Sequence, residues 1–179
     1  MSQSTCVETL PPPSSGAIRM REVRTEDAEA LRALFAMEEV AAFLSPPPAT
    51  VEEFVSWIEL SRARHVEKKA ACYTVFADGD QPVGLFMCVR GTPTEDTAEI
   101  GFALSPSVWG TGVFRETAHL YINFLFEYWD LPTLTGRTVA RNHRGLGVMR
   151  KLGATIVEQH VREREAEFVW QIRRPGHPL

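Results

Sequence analysis

Apolar residues change their spacing several times along the chain, and the spacing predicts the order of helices and strands. From Ile18 apolar and polar residues alternate, whereas in 25–42 and 50–68 apolar residues recur at steps of three and four. A period of two predicts a strand and a period near 3.6 predicts an amphipathic helix. Thr25 and Thr50 each precede acidic residues and are the predicted N-caps of the two helices.

The middle of the chain has the composition and alternation of strands. Two runs rich in β-branched and aromatic residues, 71–76 and 83–89, are separated by Asp78-Gly79-Asp80, which predicts an antiparallel hairpin. A further strand is predicted at 98–104. A long helix is expected to follow, because apolar residues from Phe114 to Trp129 recur at helical spacing.

The last third of the chain predicts a strand at 134–139, a short helix at 143–152 and two strands at 154–159 and 168–172. The complete order is β-α-α-β-β-β-α-β-α-β-β. It combines an antiparallel meander with helical crossovers, so we expect one α/β domain over 18–174, with a mixed, mostly antiparallel sheet of about seven strands flanked by helices. Residues 1–17 are rich in Ser, Thr and Pro and are predicted to form a disordered tail.

Composition excludes several classes of protein. The chain has 179 residues, 44% of them hydrophobic, and a formal net charge of −4 without a basic patch, so a nucleic-acid partner is not predicted. No apolar stretch is long enough to span a membrane and the N-terminus does not read as a secretory signal. Three cysteines form no disulfide framework, and His119 has no partner at metal-ligand spacing, so we predict a cytoplasmic protein without a metal.

The junction between the strand at 98–104 and the long helix has the features of an anion site. Gly110 and Gly112 allow a ligand to approach the backbone, and the N–H groups of a helix's first turn have no intrahelical partner. Together with the helix dipole, these groups favour a phosphate or pyrophosphate. A turn that merely needs glycine is the alternative interpretation.

Two motifs resemble one known family. Ala98-Glu99-Ile100-Gly101-Phe102 followed by Trp109-Gly110-Thr111-Gly112, and downstream Asn142 with Lys151-Leu152-Gly153 at matching spacing, resemble the GNAT N-acetyltransferases. Within that family they are most similar to the RimJ/RimL-like group, which includes ribosomal-protein N-acetyltransferases. The specific signal lies in 98–154, although the order of elements agrees from Ile18 to Ile172.

The resemblance implies an acetyltransferase that moves an acetyl group from the cosubstrate acetyl-CoA to an amine, either on a small molecule or on a protein N-terminus. The strands at 98–104 and 134–139 would splay apart to admit the pantetheine arm, and the protein could be a homodimer, as relatives often are. The residues implied in cofactor binding are Phe102, Ala103, Leu104, Trp109, Gly110, Thr111, Gly112, Val113, Phe114 and Asn142. For Asn142 a helix cap or turn is the alternative role.

Some positions depart from the family pattern. Trp109 stands where many members have Arg or Gln, and Phe114 stands where Gly or Ala is usual, so its ring either crowds the phosphates or points into the core. Relatives carry a Tyr where this chain has Met149 and a Ser where it has Gly145. Neither residue can donate a proton, which leaves His143 or a water as the acid.

Glu99 is the predicted general base. It is a carboxylate in an otherwise apolar strand, next to the expected position of the acetyl group, and burial there would make it a stronger base. An exposed Glu on a half-solvated strand is the alternative. Because the usual acids are missing, a non-catalytic CoA-binding or sensor domain is the second functional hypothesis.

Overall fold

The computed structural model describes residues 14–91, 96–162 and 165–176. Within these ranges the strands form one eight-stranded sheet in the order β1-β2-β3-β4-β5-β6-β8-β7. The strands are β1 (Ser14–Ser15), β2 (Ile18–Glu22), β3 (Ala70–Ala77), β4 (Pro82–Val89), β5 (Thr97–Leu104), β6 (Thr133–Val139), β7 (Thr155–Arg162) and β8 (Glu165–Arg173). The helices are α1 (Ala28–Phe35), α2 (Glu38–Ala41), α3 (Val51–Val66), α4 (Val113–Trp129) and α5 (His143–Lys151).

Every neighbouring pair of strands is antiparallel except β5 and β6, which are parallel. The predicted α/β fold with a mixed, mostly antiparallel sheet is therefore confirmed. The two-residue strand β1 is additional to the seven predicted strands, so the sheet begins within the segment predicted as a tail. Residues 1–13 of that segment lie outside the described residues.

The start of the first helix differs from the prediction. Residues Thr25–Asp27 form a 3₁₀ turn. The capping side chain is Asp27 and not the predicted Thr25, because the Asp27 carboxylate accepts the Arg24 N–H at 3.0 Å. Asp27 is buried and also accepts hydrogen bonds from Arg21 at 2.7 and 2.8 Å and from Thr74 at 2.8 Å. This fully hydrogen-bonded carboxylate ties α1 to β2 and β3. The predicted cap at Thr50 is confirmed, because its hydroxyl accepts the Glu53 N–H at 3.1 Å.

The predicted single helix over 25–42 is divided. Met37 has extended backbone dihedral angles of −66° and 128°, which end α1 and begin the short helix α2. Neither Gly nor Pro stands at the break, so the sequence contained no signal for it. The break places α2 beside the mouth of the larger cavity described below.

Helices cover the two faces of the sheet unequally. One face of β3 to β5 packs against α1 and α3 through a cluster that includes Leu31, Phe54 and Leu85. The other face packs against α4 and α5 through a larger cluster around Tyr121 and Trp170. No helix in the described part of the chain combines the length and apolarity that a membrane span requires.

Candidate functional site

The two parallel strands at the centre of the sheet separate. Pairing between β5 and β6 begins at Thr97 with Thr133 and ends at Glu99 with Thr135, although β5 continues to Leu104. From Ile100 onward, the edge of β5 that faces β6 has no strand beside it. The splay predicted for these strands is present, and it creates a fork that is open toward the end of β5.

The loop after β5 leads into α4 with its backbone N–H groups open. Gly110 and Gly112 have φ angles of +79° and +94°, which favour glycine over other residues. The N–H groups of Gly110, Thr111, Gly112, Phe114 and Arg115 have no acceptor among the described residues. The Val113 N–H makes only a 3.5 Å contact with Thr111 Oγ1. A cluster of unpaired donors at the positive end of a seventeen-residue helix suits an anionic ligand.

A cavity of about 980 Å³ opens beside this loop. It is bounded by the end of β5, the 109–114 loop, the start of α5 and the α2 region. Nine of the ten residues that the resemblance implied in cofactor binding line it: Phe102, Ala103, Leu104, Trp109, Gly110, Thr111, Gly112, Phe114 and Asn142. Val113 is the exception, because its side chain packs against the core.

Three cationic side chains also line the large cavity: Arg115, Arg144 and Lys151, against one acidic residue, Glu39. The Arg144 guanidinium carbon lies 3.6 Å from the centre of the Trp109 ring, a cation–π contact that joins α5 to the loop. The sequence analysis gave Arg115 and Lys151 no role, although the motif spacing could have placed both residues near the loop.

The Phe114 ring points into the core. Its centroid lies 4.7 Å from that of Phe102 and 5.9 Å from that of Phe86. This packing favours the alternative in which the ring points into the core, although Phe114 also lines the cavity.

Trp109 and Asn142 have structural partners that the motif alone did not show. The Trp109 indole N–H donates to the Leu104 carbonyl at 2.9 Å, so this carbonyl is already engaged. Asn142 Oδ1 accepts the Gly145 N–H at 2.7 Å and caps α5. The alternative role of Asn142 as a helix cap is thus present. Asn142 also lines the cavity, and its amide nitrogen has no acceptor among the described residues.

Glu99 is not the buried carboxylate that the sequence suggested. Its side chain is 47% exposed, and its Oε2 accepts a hydrogen bond from Arg137 Nε at 3.0 Å. Arg137 also contacts Glu167 at 3.4 Å, and its hydrogen bond to Glu99 raises the pKa of Arg137 above its usual value. The prediction of burial is wrong because helices do not cover this face of β6 and β8, which leaves room for an arginine two residues beyond Thr135.

A second cavity of about 540 Å³ lies at the closed end of the fork. Its lining includes Glu99 and Thr135, together with Met87, Val89 and Gly101. Met87 is paired with Gly101 and Val89 with Glu99, so these residues share one face of the sheet. Glu99, at the last pair of β5 and β6, therefore separates the end of the fork from this second cavity.

Met149 fills the inner end of the fork. A Cβ atom on Gly136 would lie 3.1 Å from the Met149 methyl carbon and 3.6 Å from Ile100 Cγ1. Ile100 and Gly136 are the first residues beyond the last β5–β6 pair. The thioether is buried and offers no proton, so the fork contains a packing group at the position where relatives have a tyrosine.

The described residues contain no candidate metal site. Across residues 14–91, 96–162 and 165–176, no three His, Cys, Asp or Glu side chains are grouped as a metal ion would require. His143 lies at the mouth of the large cavity and is exposed.

A sequence model of the acetyltransferase (GNAT) domain matches residues 17–155, more than three quarters of the chain. The chain belongs to the GNAT acetyltransferase family. This confirms the family that was predicted from the motifs at the strand-to-helix junction and around Asn142. The loop with unpaired amides and the fork are the parts of this GNAT domain that those motifs encode.

Solved structures share the fold over nearly the whole domain. Ribosomal-protein-S5-alanine acetyltransferase from Vibrio fischeri superposes with a TM-score of 0.81 at 15% identity, covering 91% of this chain and 96% of the other. An acetyltransferase from Salmonella typhimurium that modifies the N-terminal serine of ribosomal protein L7/L12 gives 0.80 at 15% identity, covering 89% and 96%. RimL, a ribosomal L7/L12 α-N-protein acetyltransferase solved in complex with coenzyme A, gives 0.79 at 16% identity, covering 90% and 96%. At these identities the likeness establishes the fold.

Among curated proteins, the FsC-acetyl coenzyme A-N(2)-transacetylase of Aspergillus fumigatus is 36% identical over 63 residues. The match covers 35% of this chain and spans about a quarter (27%) of the length of that relative.

Proposed function

We propose that this protein is an acetyl-CoA-dependent N-acetyltransferase that transfers the acetyl group directly to an amine. The observation that carries the proposal is the open fork between β5 and β6. It has unpaired backbone donors at its mouth and the Glu99 carboxylate at its closed end. The family assignment and the coenzyme A bound to the neighbour RimL support the same ligand.

The mouth of the fork would hold the anionic part of acetyl-CoA. The N–H groups of 110–115 are in position to bind the diphosphate, and Arg115, Arg144 and Lys151 add positive charge around it. The unpaired edge of β5 from Leu104 to Ile100 spans about 13 Å, at roughly 3.3 Å per residue. Along this edge the free backbone groups, together with the Asn142 amide, can hydrogen-bond the pantetheine arm as an added strand would.

The acceptor amine would enter through the smaller cavity. Acetyl-CoA supplies an acetyl thioester at the closed end of the fork, and the amine nitrogen attacks its carbonyl carbon while the carbon–sulfur bond breaks. Glu99 takes the proton that the amine must lose, directly or through a water, because it is the carboxylate in the lining of that cavity. Arg137 holds this carboxylate in place through the 3.0 Å hydrogen bond.

The leaving thiol would receive its proton from water. Met149 and Gly145 occupy the positions of the usual donors and offer none, and His143 lies at the mouth of the large cavity instead. Catalysis therefore depends mainly on positioning the two substrates and on the electrostatics of the fork. The acceptor is an amine on a small molecule or a protein, and the neighbours that acetylate ribosomal proteins favour a protein N-terminus.

A location in the cell belongs to the same proposal. We place the protein in the cytoplasm, where acetyl-CoA is made and thiols stay reduced. Cys72 and Cys88 are free and buried, and burial raises the pKa of the Cys72 thiol to about 11. Both behave as small apolar residues of the core.

A non-catalytic CoA-binding domain is the second candidate, and Met149 in the fork is the observation that favours it. Two measurements separate the candidates. Thermal-shift titration with acetyl-CoA, with ATP and NAD as controls, tests the binding site, and thiol release from acetyl-CoA in the presence of an amine panel tests transfer. We expect stabilisation by acetyl-CoA alone and thiol release that depends on the amine. Stabilisation without release by any amine or peptide would favour the binding domain, and stabilisation by ATP or NAD instead would overturn both.

A further inference from the structure

The smaller cavity places apolar side chains beside the Glu99 carboxylate. Val89 on β4 is directly opposite Glu99, and Met87 is directly opposite Gly101. Residues directly opposite each other in an antiparallel pair have Cβ atoms about 5 Å apart, so Val89 is an immediate neighbour of the carboxylate. The Val89 side chain is 38% exposed, and both Val89 and Met87 line the cavity. Apolar surface of this kind inside a cavity is typical of a ligand-binding site.

Gly101 leaves space on the same face of β5 as Glu99. A Cβ atom at this position would come within 4 Å of Met87 alone, at 3.3 Å from Cγ and 3.7 Å from Sδ. The floor next to the carboxylate is therefore open down to the Met87 side chain. The cavity volume of about 540 Å³ is in the range of sites for small organic ligands and exceeds what an amine nitrogen alone requires. An acceptor can thus carry a bulky group next to its nitrogen.

The charges around the cavity are unfavourable for a carboxylate. In the part of the chain that the structure describes, the lining contains no Lys or Arg, and its other polar side chains are the hydroxyls of Thr97 and Thr135. Arg137 donates to Glu99 at 3.0 Å and to Glu167 at 3.4 Å, so two carboxylates share one guanidinium. The net negative charge of this group attracts an ammonium ion and repels an acceptor that has a carboxylate next to its amine.

We propose that the acceptor is an amine with a bulky apolar group next to the nitrogen and no neighbouring carboxylate, and that Val89 and Met87 select this group. The inference rests on the proposed function and specifies its substrate. The transfer itself is unchanged: the nitrogen–carbon bond forms as the carbon–sulfur bond breaks, and Glu99 takes the proton of the amine. An apolar primary amine and a peptide whose first residue is large and apolar both present this chemistry.

The first test compares acceptors in pairs, with thiol release from acetyl-CoA as the measurement. Leucinamide and glycinamide differ only in the apolar side chain, and kcat/KM should be about tenfold or more higher for leucinamide. 3-Methylbutylamine and leucine differ only in the carboxylate, and kcat/KM should again be about tenfold or more higher for the amine without it. The amine of 3-methylbutylamine is the more basic of the two, so a greater supply of unprotonated amine cannot explain this result.

A further arm distinguishes the two sources of this chemistry. Leucylglycylglycinamide extends leucinamide by a peptide chain. A higher kcat/KM for this peptide than for leucinamide identifies a protein N-terminus as the acceptor. An equal or lower value identifies a small apolar amine, and either result supports the proposed selection of the apolar group.

Val89→Ser tests the selecting surface, and Val161→Ser is the matched control, because Val161 is exposed on the border strand β7 and does not line the cavity. We expect V89S to lower the kcat/KM ratio of leucinamide to glycinamide about fivefold or more, since it removes apolar contact with leucinamide alone. V161S should leave the ratio unchanged. The dissociation constant for acetyl-CoA should be the same in both variants, which shows that the fold is intact.

Three outcomes overturn this inference alone. They are equal kcat/KM for leucinamide and glycinamide, leucine used as well as 3-methylbutylamine, and a ratio in V89S that equals that of the natural protein. In each case thiol release still shows transfer, so the proposed function stands. Absence of thiol release with every amine and peptide overturns the proposed function instead, and this inference with it.

Discussion

The two cavities beside β5 differ in the kind of polar group that each presents to a ligand. The larger one, at the end of the strand, presents the backbone N–H groups around Gly110 and Gly112, with the side chains of Arg115, Arg144 and Lys151 also in its lining. The smaller one is lined mainly by side chains, and the carboxylate in its lining, Glu99, belongs to a chain of ion pairs through Arg137 to Glu167. A backbone site depends on φ angles that glycine permits, whereas a side-chain site depends on partners from distant strands. Substitutions should therefore affect the two cavities in different ways.

The largest effect is expected from Glu99→Gln, which tests the smaller cavity. The amide keeps the size of the side chain but cannot take a proton, so kcat should fall roughly a hundredfold or more, the usual contribution of a general base. The dissociation constant for acetyl-CoA, measured by calorimetry, should stay within about twofold, because the N–H groups of the loop are untouched. Unchanged turnover in E99Q would show that Glu99 is not the base.

Gly112→Val tests the larger cavity. Valine is strained at a φ of +94°, and relief of that strain moves the loop and its N–H groups away from the diphosphate. A strain of about 1–3 kcal/mol corresponds to acetyl-CoA binding that is roughly five to 150 times weaker. Gly153→Val is the control, because Gly153 has a φ of +72° but does not line the cavity. It should lower stability without changing CoA affinity, and equal losses in both variants would argue against a backbone site.

Met149→Ala tests the inner end of the fork between β5 and β6. Removing the thioether opens space beside Gly136 and Ile100, where the acyl group would lie. We expect the ratio of kcat/KM for propionyl-CoA to that for acetyl-CoA to rise about tenfold, as one extra methylene in an apolar pocket allows. Leu146→Ala, a similar truncation one turn away on α5, should leave the ratio unchanged. An unchanged ratio in M149A would place the acyl group elsewhere.

The smallest effect is expected from Arg137→Met. Loss of an exposed, charge-assisted hydrogen bond of about 1 kcal/mol lets Glu99 rotate, so kcat should fall about fivefold while the CoA dissociation constant stays constant. Arg137→Lys keeps the charge and should recover part of the loss, most clearly at low salt. If R137M weakened CoA binding instead, the division between the two cavities would be wrong.

The same division explains what the sequence could predict. Gly110 and Gly112 marked the backbone site because glycine spacing at a strand-to-helix junction has a direct conformational meaning. Hydrophobic periodicity located seven strands and the long helix for a similar reason, since each period reports local geometry. These inferences needed no knowledge of which distant residues meet.

Side-chain partners were harder to predict. Nothing near Glu99 in the sequence indicates that Arg137 would reach it from β6, and the prediction of burial failed for that reason. Asp27 was overlooked as a cap because three of its four hydrogen bonds come from β2 and β3. The break at Met37 could not be predicted because no Gly or Pro stands there in the sequence.

Asn142 caps α5 by accepting the Gly145 N–H, so a substitution at either of these two positions affects the other. A side chain at Gly145 would begin 2.6 Å from Asn142 Nδ2, so a serine there would displace the asparagine that caps the helix. Reintroducing the hydroxyl that relatives have at this position would therefore cost the helix its cap, unless residue 142 changed as well. The two positions are epistatic: whether a residue is acceptable at one is decided by its occupant at the other.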